Sequence, residues 1–228
     1  SHLEGFGDLC GVARAKGEIF DGLSSHGVAL YNLDTQLASK WQWRLTDKTV
    51  RTFSCTKPTD AYCSDVVLDE NGCANFKLNT YKGSIYIELA VPGRHNVCNA
   101  VAAAAVALEF GASLEDIRLG LMQMSAVKGR LNLKSLAKNI RLIDDTYNAN
   151  VESIKAAIEL LASFPGRRVL VLGDMAELGA DARSYHQEVG SFAKSLGIET
   201  PKVALVAASE QVLPKMDACV DAAIISKM

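Results

Sequence analysis

The sequence predicts an α/β protein in two parts, a mixed sheet carrying an antiparallel meander followed by a doubly wound unit. Three observations carry that expectation. Short apolar runs alternate with stretches of helical periodicity near the start of the 228-residue chain and again in its second half. Between them, Ala61 to Val91 changes to period-two alternation broken by turn residues. Finally, Ala126-Val127-Lys128-Gly129-Arg130 reads as a connector. The boundary is placed there, giving expected domains 1–127 and 128–228.

Taken in order, Ser1 to Gly7 is a loop holding one histidine, His2, and Asp8 is expected to cap a helix with an apolar face of Leu9, Val12, Ala13, Ile19 and Phe20. Val28–Leu33 and Val50–Ser54 read as strands and Asp34–Leu45 as a helix holding Trp41 and Trp43. Tyr62–Leu68, Cys73–Leu78 and Ser84–Val91 form the meander, with Asn71-Gly72 and Lys82-Gly83 as its turns. Pro92-Gly93-Arg94-His95-Asn96 then leads into a small-residue helix, Val97–Phe110, and Ser113 spaced three before Asp116 signals another helix start. In the second part a hairpin spans Leu131–Ile143, with Ile140, Leu142 and Ile143 expected as buried strand residues. Helices are expected at Val151–Ala162 and Ala182–Leu196, and strands at Arg168–Leu172 and Lys202–Val206. Ser209–Met216 and Ala218–Ile225 read as a further helix and strand.

Composition narrows the function classes. A hydrophobic fraction of 49%, a charged fraction of 22% and a formal net charge of −2 describe an ordinary globular chain, with nothing directing it to nucleic acid or an anionic membrane surface. No apolar run reaches the roughly 20 residues of a membrane span. The six cysteines, Cys10, Cys55, Cys63, Cys73, Cys98 and Cys219, contain no Cys-x-x-Cys pair and are expected as reduced thiols in a cytoplasmic protein. The chain does not begin with Met, and it reads as a piece of a longer polypeptide.

Ligands of open α/β sheets bind beyond the carboxyl ends of strands, which directs attention to the polar loop Asp144–Asn150. An Asx-rich turn and helix cap would use the same residues. Asn96 and Asn99 open a helix and carry both donor and acceptor, so they suit either capping or the edge of a purine. Arg130 after a glycine fits a phosphate clamp or a plain surface arginine. Lys16 reads as a solvated lysine and His2 as part of a terminal segment. Gly173-Asp174-Met-Ala-Glu177-Leu-Gly179 is a strand-exit loop without the Gly-x-Gly-x-x-Gly spacing, and His186 a dozen residues on suits a structural histidine as well as a catalytic one.

Taken jointly, five blocks in order resemble the ATP-dependent Mur ligases. They are His2-Leu-Glu-Gly-Phe-Gly with Ala15-Lys16-Gly-Glu-Ile-Phe20, then Pro92-Gly-Arg-His-Asn-Val-Cys-Asn99-Ala-Val-Ala-Ala, then Gly129-Arg130-Leu. Asp144-Asp-Thr-Tyr-Asn-Ala-Asn150 with Ser153 and Gly173-Asp-Met-Ala-Glu-Leu-Gly179 with His186-Gln-Glu-Val-Gly190 complete the set. The resemblance implies the second half of that family's central ATPase domain followed by its Rossmann-like third domain. It implies Asn96 and Asn99 at the adenine, Arg130 at the γ-phosphate, Asp145 at the ribose, Tyr147 and Asn148 nearby, and His2 with a carbamylated Lys16 as ligands of Mg²⁺. Positions 2 and 16 would lie about 20 Å apart on one helix, but Gly5 and Gly7 break it. Asp174, Glu177 and His186 become candidate substrate contacts.

The implied reaction joins D-alanyl-D-alanine to UDP-N-acetylmuramoyl-tripeptide through an acyl phosphate, in cytoplasmic peptidoglycan precursor synthesis that serves cell shape and division. The family's Gly-x-x-Gly-Lys-Thr phosphate loop is not in these residues, so the piece alone is expected to be inactive, with uncovered sheet edges open to another copy of the chain or to a missing segment, the parent enzyme being a monomer. Another Mur-type or folylpolyglutamate-type ligase, or a non-catalytic nucleotide-binding module, are the alternatives. The Asp-Asp-Thr-Tyr-Asn-Ala-Asn loop favours the tripeptide ligase among them.

Overall fold

The structure is a computed structural model and describes residues 6–138, 140–147, 149–173, 175 and 182–198. Helix α1, Leu9–Gly17, starts as expected: the Asp8 carboxylate accepts the Gly11 N–H at 2.6 Å. Its inner face differs from the expected one. The helix stops at Gly17 and a 3₁₀ turn, Glu18–Phe20, changes the pitch, so Phe20 is buried while Ile19 is exposed.

The helix expected over Asp34–Leu45 is absent, replaced by two 3₁₀ turns at Ala38–Lys40 and Gln42–Arg44. Two tethers explain why. The Asp34 carboxylate is committed to residues 54–56, leaving it no role as a helix cap, and the Trp41 indole is anchored by donating to the Ala13 carbonyl at 2.8 Å. Trp41 packs beside the small core of Phe20, Ala29 and Leu45.

A single five-stranded sheet holds the first part together. Its strands are β1 (Val28–Asn32), β2 (Thr49–Ser54), β3 (Ala61–Leu68), β4 (Cys73–Thr80) and β5 (Gly83–Pro92), in that spatial order. The meander is therefore continuous with the parallel pair: β1, β2 and β3 run parallel, and β4 is antiparallel to both β3 and β5. It follows that β1, β2 and β5 all end at the same edge.

Helix α2, His95–Glu109, lies on this sheet through Val97, Ala100, Val101, Ala104, Ala105 and Leu108, against Phe76, Leu78 and Ile87. Its small side chains let backbone and sheet approach closely. Helix α3, Leu114–Met122, adds Ile117 and Leu121 to the same core, and its start carries the capping box expected from Ser113 and Asp116.

The cysteines do not match the expectation of reduced thiols throughout. Cys55, just after β2, and Cys98, in the first turns of α2, are joined in a disulfide, while Cys10, Cys63 and Cys73 are free. Folding places the two cysteine α-carbons 5.7 Å apart, within bonding reach, although 43 positions separate them in the chain.

In the second part, β6 (Asn132–Ala137) and β7 (Ile140–Asp144) form an antiparallel hairpin. Helix α4, Val151–Ser163, begins in a reciprocal Asn150/Ser153 capping box, and α5, Ala182–Ser195, packs against it through Ile154, Ile158, Val189 and Ala193. Lys155 donates to Glu188 at 2.6 Å across the same pair of helices.

Two expectations fail here. Ile140 and Leu142 are exposed, because the two-stranded hairpin leaves that face uncovered. Arg168–Leu172 is assigned to no strand, since it has no ladder partner among the described residues; its side chains still alternate, Leu172 inward and Val169 and Val171 outward. Lys202–Val206, Ser209–Met216 and Ala218–Ile225 lie outside the described residues. Among the described residues no helix is long and apolar enough to cross a membrane.

Candidate functional site

Three loops leave the shared carboxyl edge of β1, β2 and β5. The first two are bound together by Asp34, a residue that sequence reasoning did not single out. Its carboxylate accepts from Ser54 Oγ at 2.6 Å, Thr56 Oγ1 at 2.6 Å and the Cys55 N–H at 2.7 Å. Burial pushes the Asp34 carboxyl up, but these three donors outweigh it and hold it below the usual carboxylate range. The available sequence signal was the Asn-x-Asp turn after a strand, with Asn32 Oδ1 accepting the Asp34 N–H at 2.8 Å.

The third loop turns at Gly93, whose N–H donates to the Gly72 carbonyl at 2.8 Å. Its φ of +103° suits glycine, and a Cβ there would sit 2.5 Å from His95 Cε1 and 3.0 Å from Leu131 Cδ1. His95 is thus pressed between the turn and the second part. Burial holds its imidazole below the ordinary histidine range, opposed by the Asp145 and Glu159 carboxylates. Asn96 Nδ2 donates to the Pro92 carbonyl at 2.7 Å, and its Oδ1 accepts from Asn99 Nδ2 at 3.0 Å. Asn99 is exposed.

The connector meets this edge from the other side. Leu131 is buried beside Gly93, and its N–H donates to Asp145 Oδ1 at 3.2 Å. The Tyr147 N–H donates to the Gly129 carbonyl at 3.0 Å, and the Arg130 guanidinium lies 4.2 Å from the Tyr147 ring centroid. At the base of this loop Asp144 accepts from Lys134 Nζ and Thr146 Oγ1, both at 2.8 Å; these partners, Lys134 foremost, hold its carboxyl low.

The structure therefore gathers Asn96, Asn99, Arg130, Asp145 and Tyr147 around the start of α2. Chemically the group offers amide donors and acceptors, one half-buried carboxylate and an exposed guanidinium. Two other expected residues, Lys16 and His186, fall elsewhere. Lys16 is exposed in the last turn of α1. His186 Nε2 accepts the Met175 N–H at 3.3 Å, which ties the histidine to the backbone at position 175. His2, Asn148, Asp174 and Glu177 lie outside the described residues.

Comparison with known proteins gives concordant matches. The family model "Mur ligase middle domain" matches residues 1–107, and "Mur ligase, glutamate ligase domain" matches residues 129–222. The chain is 46% identical over 199 residues to the UDP-N-acetylmuramoyl-tripeptide–D-alanyl-D-alanine ligase of Escherichia coli strain K12, covering 87% of this chain and 44% of that protein. To the Bacillus subtilis strain 168 protein of the same name it is 35% identical over 193 residues, covering 84% of this chain and 41% of that protein. A crystal structure of MurF from Acinetobacter baumannii superposes with a TM-score of 0.83 at 35% identity, over 89% of this chain and 44% of that chain. The chain thus spans less than half the length of these relatives.

Proposed function

The chain belongs to the Mur ligase family, and we propose that it supplies one wall of an ATP site in a ligase that joins D-alanyl-D-alanine to UDP-N-acetylmuramoyl-tripeptide. The observation that carries this reading is the junction at Gly93: the turn from β5 into Asn96 and Asn99 lies beside Leu131, which follows Arg130 and whose N–H donates to the Asp145 carboxylate, beyond the carboxyl end of a strand, where α/β sheets bind ligands. The division into domains 1–127 and 128–228 is part of the proposal, with the site at their junction.

In this reading the exposed Asn99, steadied by Asn96, hydrogen-bonds the adenine edge. Asp145 keeps Oδ2 for a ribose hydroxyl while Oδ1 holds the Leu131 N–H. Arg130 neutralises charge on the γ-phosphate. The tripeptide carboxylate attacks the γ-phosphorus and ADP leaves, giving an acyl phosphate. The dipeptide amine then attacks the acyl carbon, losing its proton as phosphate departs. Contacts to the dipeptide are assigned to Asp174, Glu177 and His186. The enzyme acts in the cytoplasm as a monomer.

Mg²⁺ belongs to the proposal through His2 and a carbamylated Lys16. The described residues do not by themselves assemble its oxygen ligand set: their one cluster of potential ligands is Asp34, Cys55 and Cys98, with both sulfurs in the disulfide.

The test is ATP-dependent ligation by a polypeptide of the relatives' length. Asp145→Ala is expected to raise the ATP KM more than it lowers kcat, as loss of a uniform binding contact does. An unchanged KM removes Asp145 from the nucleotide site, and absence of ligation in the unsubstituted protein overturns the reading.

A further inference from the structure

We propose that Tyr147 is a positioning residue for Arg130, holding the guanidinium plane so that its fork meets a terminal phosphate. This rests on the γ-phosphate reading of Arg130 given above. Three features of the loop point to it. Tyr147 is 68% exposed, and its ring lies with its centroid 4.2 Å from the Arg130 guanidinium. Arg130 is itself exposed, and among the described residues it makes no ion pair. The two residues, far apart in the chain, are registered by backbone: Tyr147 N–H to the Gly129 carbonyl, and Leu131 N–H to the Asp145 carboxylate.

Gly129 completes the arrangement. Its φ is +73°, and a Cβ would lie 3.0 Å from the Tyr147 nitrogen. The absence of a side chain at 129 lets the connector lie flat on the 144–147 loop, which places positions 130 and 147 face to face. An arginine at a bare turn samples many rotamers, and a ring stacked on its planar face removes most of them before any anion arrives. The stack needs the ring's face and not its hydroxyl. Tyr147 therefore acts on the nucleotide through Arg130.

The test uses a polypeptide of the relatives' length, titrated calorimetrically with ATP and with ADP. Tyr147→Leu is expected to reduce the preference for ATP over ADP by about two- to fivefold, the span of an exposed cation–π contact, and to leave ADP affinity unchanged. Tyr147→Phe is expected to restore the preference, and Tyr147→Leu added to Arg130→Ala to change nothing further. Equal weakening of ATP and ADP would make Tyr147 a direct nucleotide contact, and an unaltered preference in Tyr147→Leu would make it irrelevant; either result overturns the proposal. A second readout needs no nucleotide: the Arg130 δ protons are expected to show an upfield ring-current shift in the wild type and in Tyr147→Phe, lost in Tyr147→Leu. If neither nucleotide binds, the γ-phosphate reading fails alone. In that event an unshifted Arg130 resonance in the wild type overturns the stack, and a shifted one upholds it.

Discussion

Gly93→Ala is the substitution that tests the junction most directly. At φ +103° an L-residue is strained by roughly 1–2 kcal/mol. The new methyl would also stand 2.5 Å from His95 Cε1 and 3.0 Å from Leu131 Cδ1, in a buried spot where overpacking costs about 1–3 kcal/mol. Alanine recovers about 0.4–1 kcal/mol by stiffening the unfolded chain. The net loss is about 2–4 kcal/mol, and at about 2–4 °C per kcal/mol for a chain of this size the melting temperature should fall by about 5–15 °C. Circular dichroism melts of wild type and variant measure it. Because part of the cost is the collision with the imidazole, His95→Ala in the Gly93→Ala background should cost less than His95→Ala alone. A variant melting within about 2 °C of wild type would refute both the strain and the contact.

Two more outcomes follow from geometry already given. Burial depresses the folded-state pKa of His95, so on acidification the unfolded chain takes up this proton first, near pH 6.5. The contribution is present above that pH and is lost as pH falls through the folded-state pKa; His95→Gln should flatten the decline in melting temperature as pH falls below about 6.5, and parallel declines would remove His95 as its source. The Cys55–Cys98 bond spans 43 positions, for which chain entropy gives up to about 4 kcal/mol. A dithiol reductant should lower the melting temperature of the wild type but not of Cys55→Ser, and thiol titration in denaturant should find two more thiols after reduction than before, equal counts disproving the bond.

What could be read in the sequence was whatever is decided within a few residues. Asp8, Ser113 and Asn150 cap their helices because each cap hydrogen bond closes over three positions. The meander turns and the hairpin were legible for the same reason. Misreadings arose where a distant partner decides. Asp34 looks like a helix start until Ser54 and Thr56 claim its carboxylate, and Arg168–Leu172 has strand alternation without a described neighbour to pair with. At the candidate site, residue types and the order of the blocks pointed to Asn96, Asn99, Arg130 and Asp145 as candidates, but nothing local to positions 130 and 147 shows that they stack. The disulfide was missed because spacing along the chain says nothing about which thiols a sheet brings together.

Helix α2 rests on the sheet through alanines, with Ala104 and Ala105 in the same stripe as Ala100. Ala104 lies about 12 Å along the axis from Asn96. A lineage acquiring a bulkier side chain at Ala104 would lift the whole rod, carrying the amides at its tip away from Asp145 without altering any residue that faces a ligand. Evolutionary tolerance here is therefore set by the thickness of a methyl group two turns from the site, and a substitution at this contact can silence the protein while every recognisable motif stays intact.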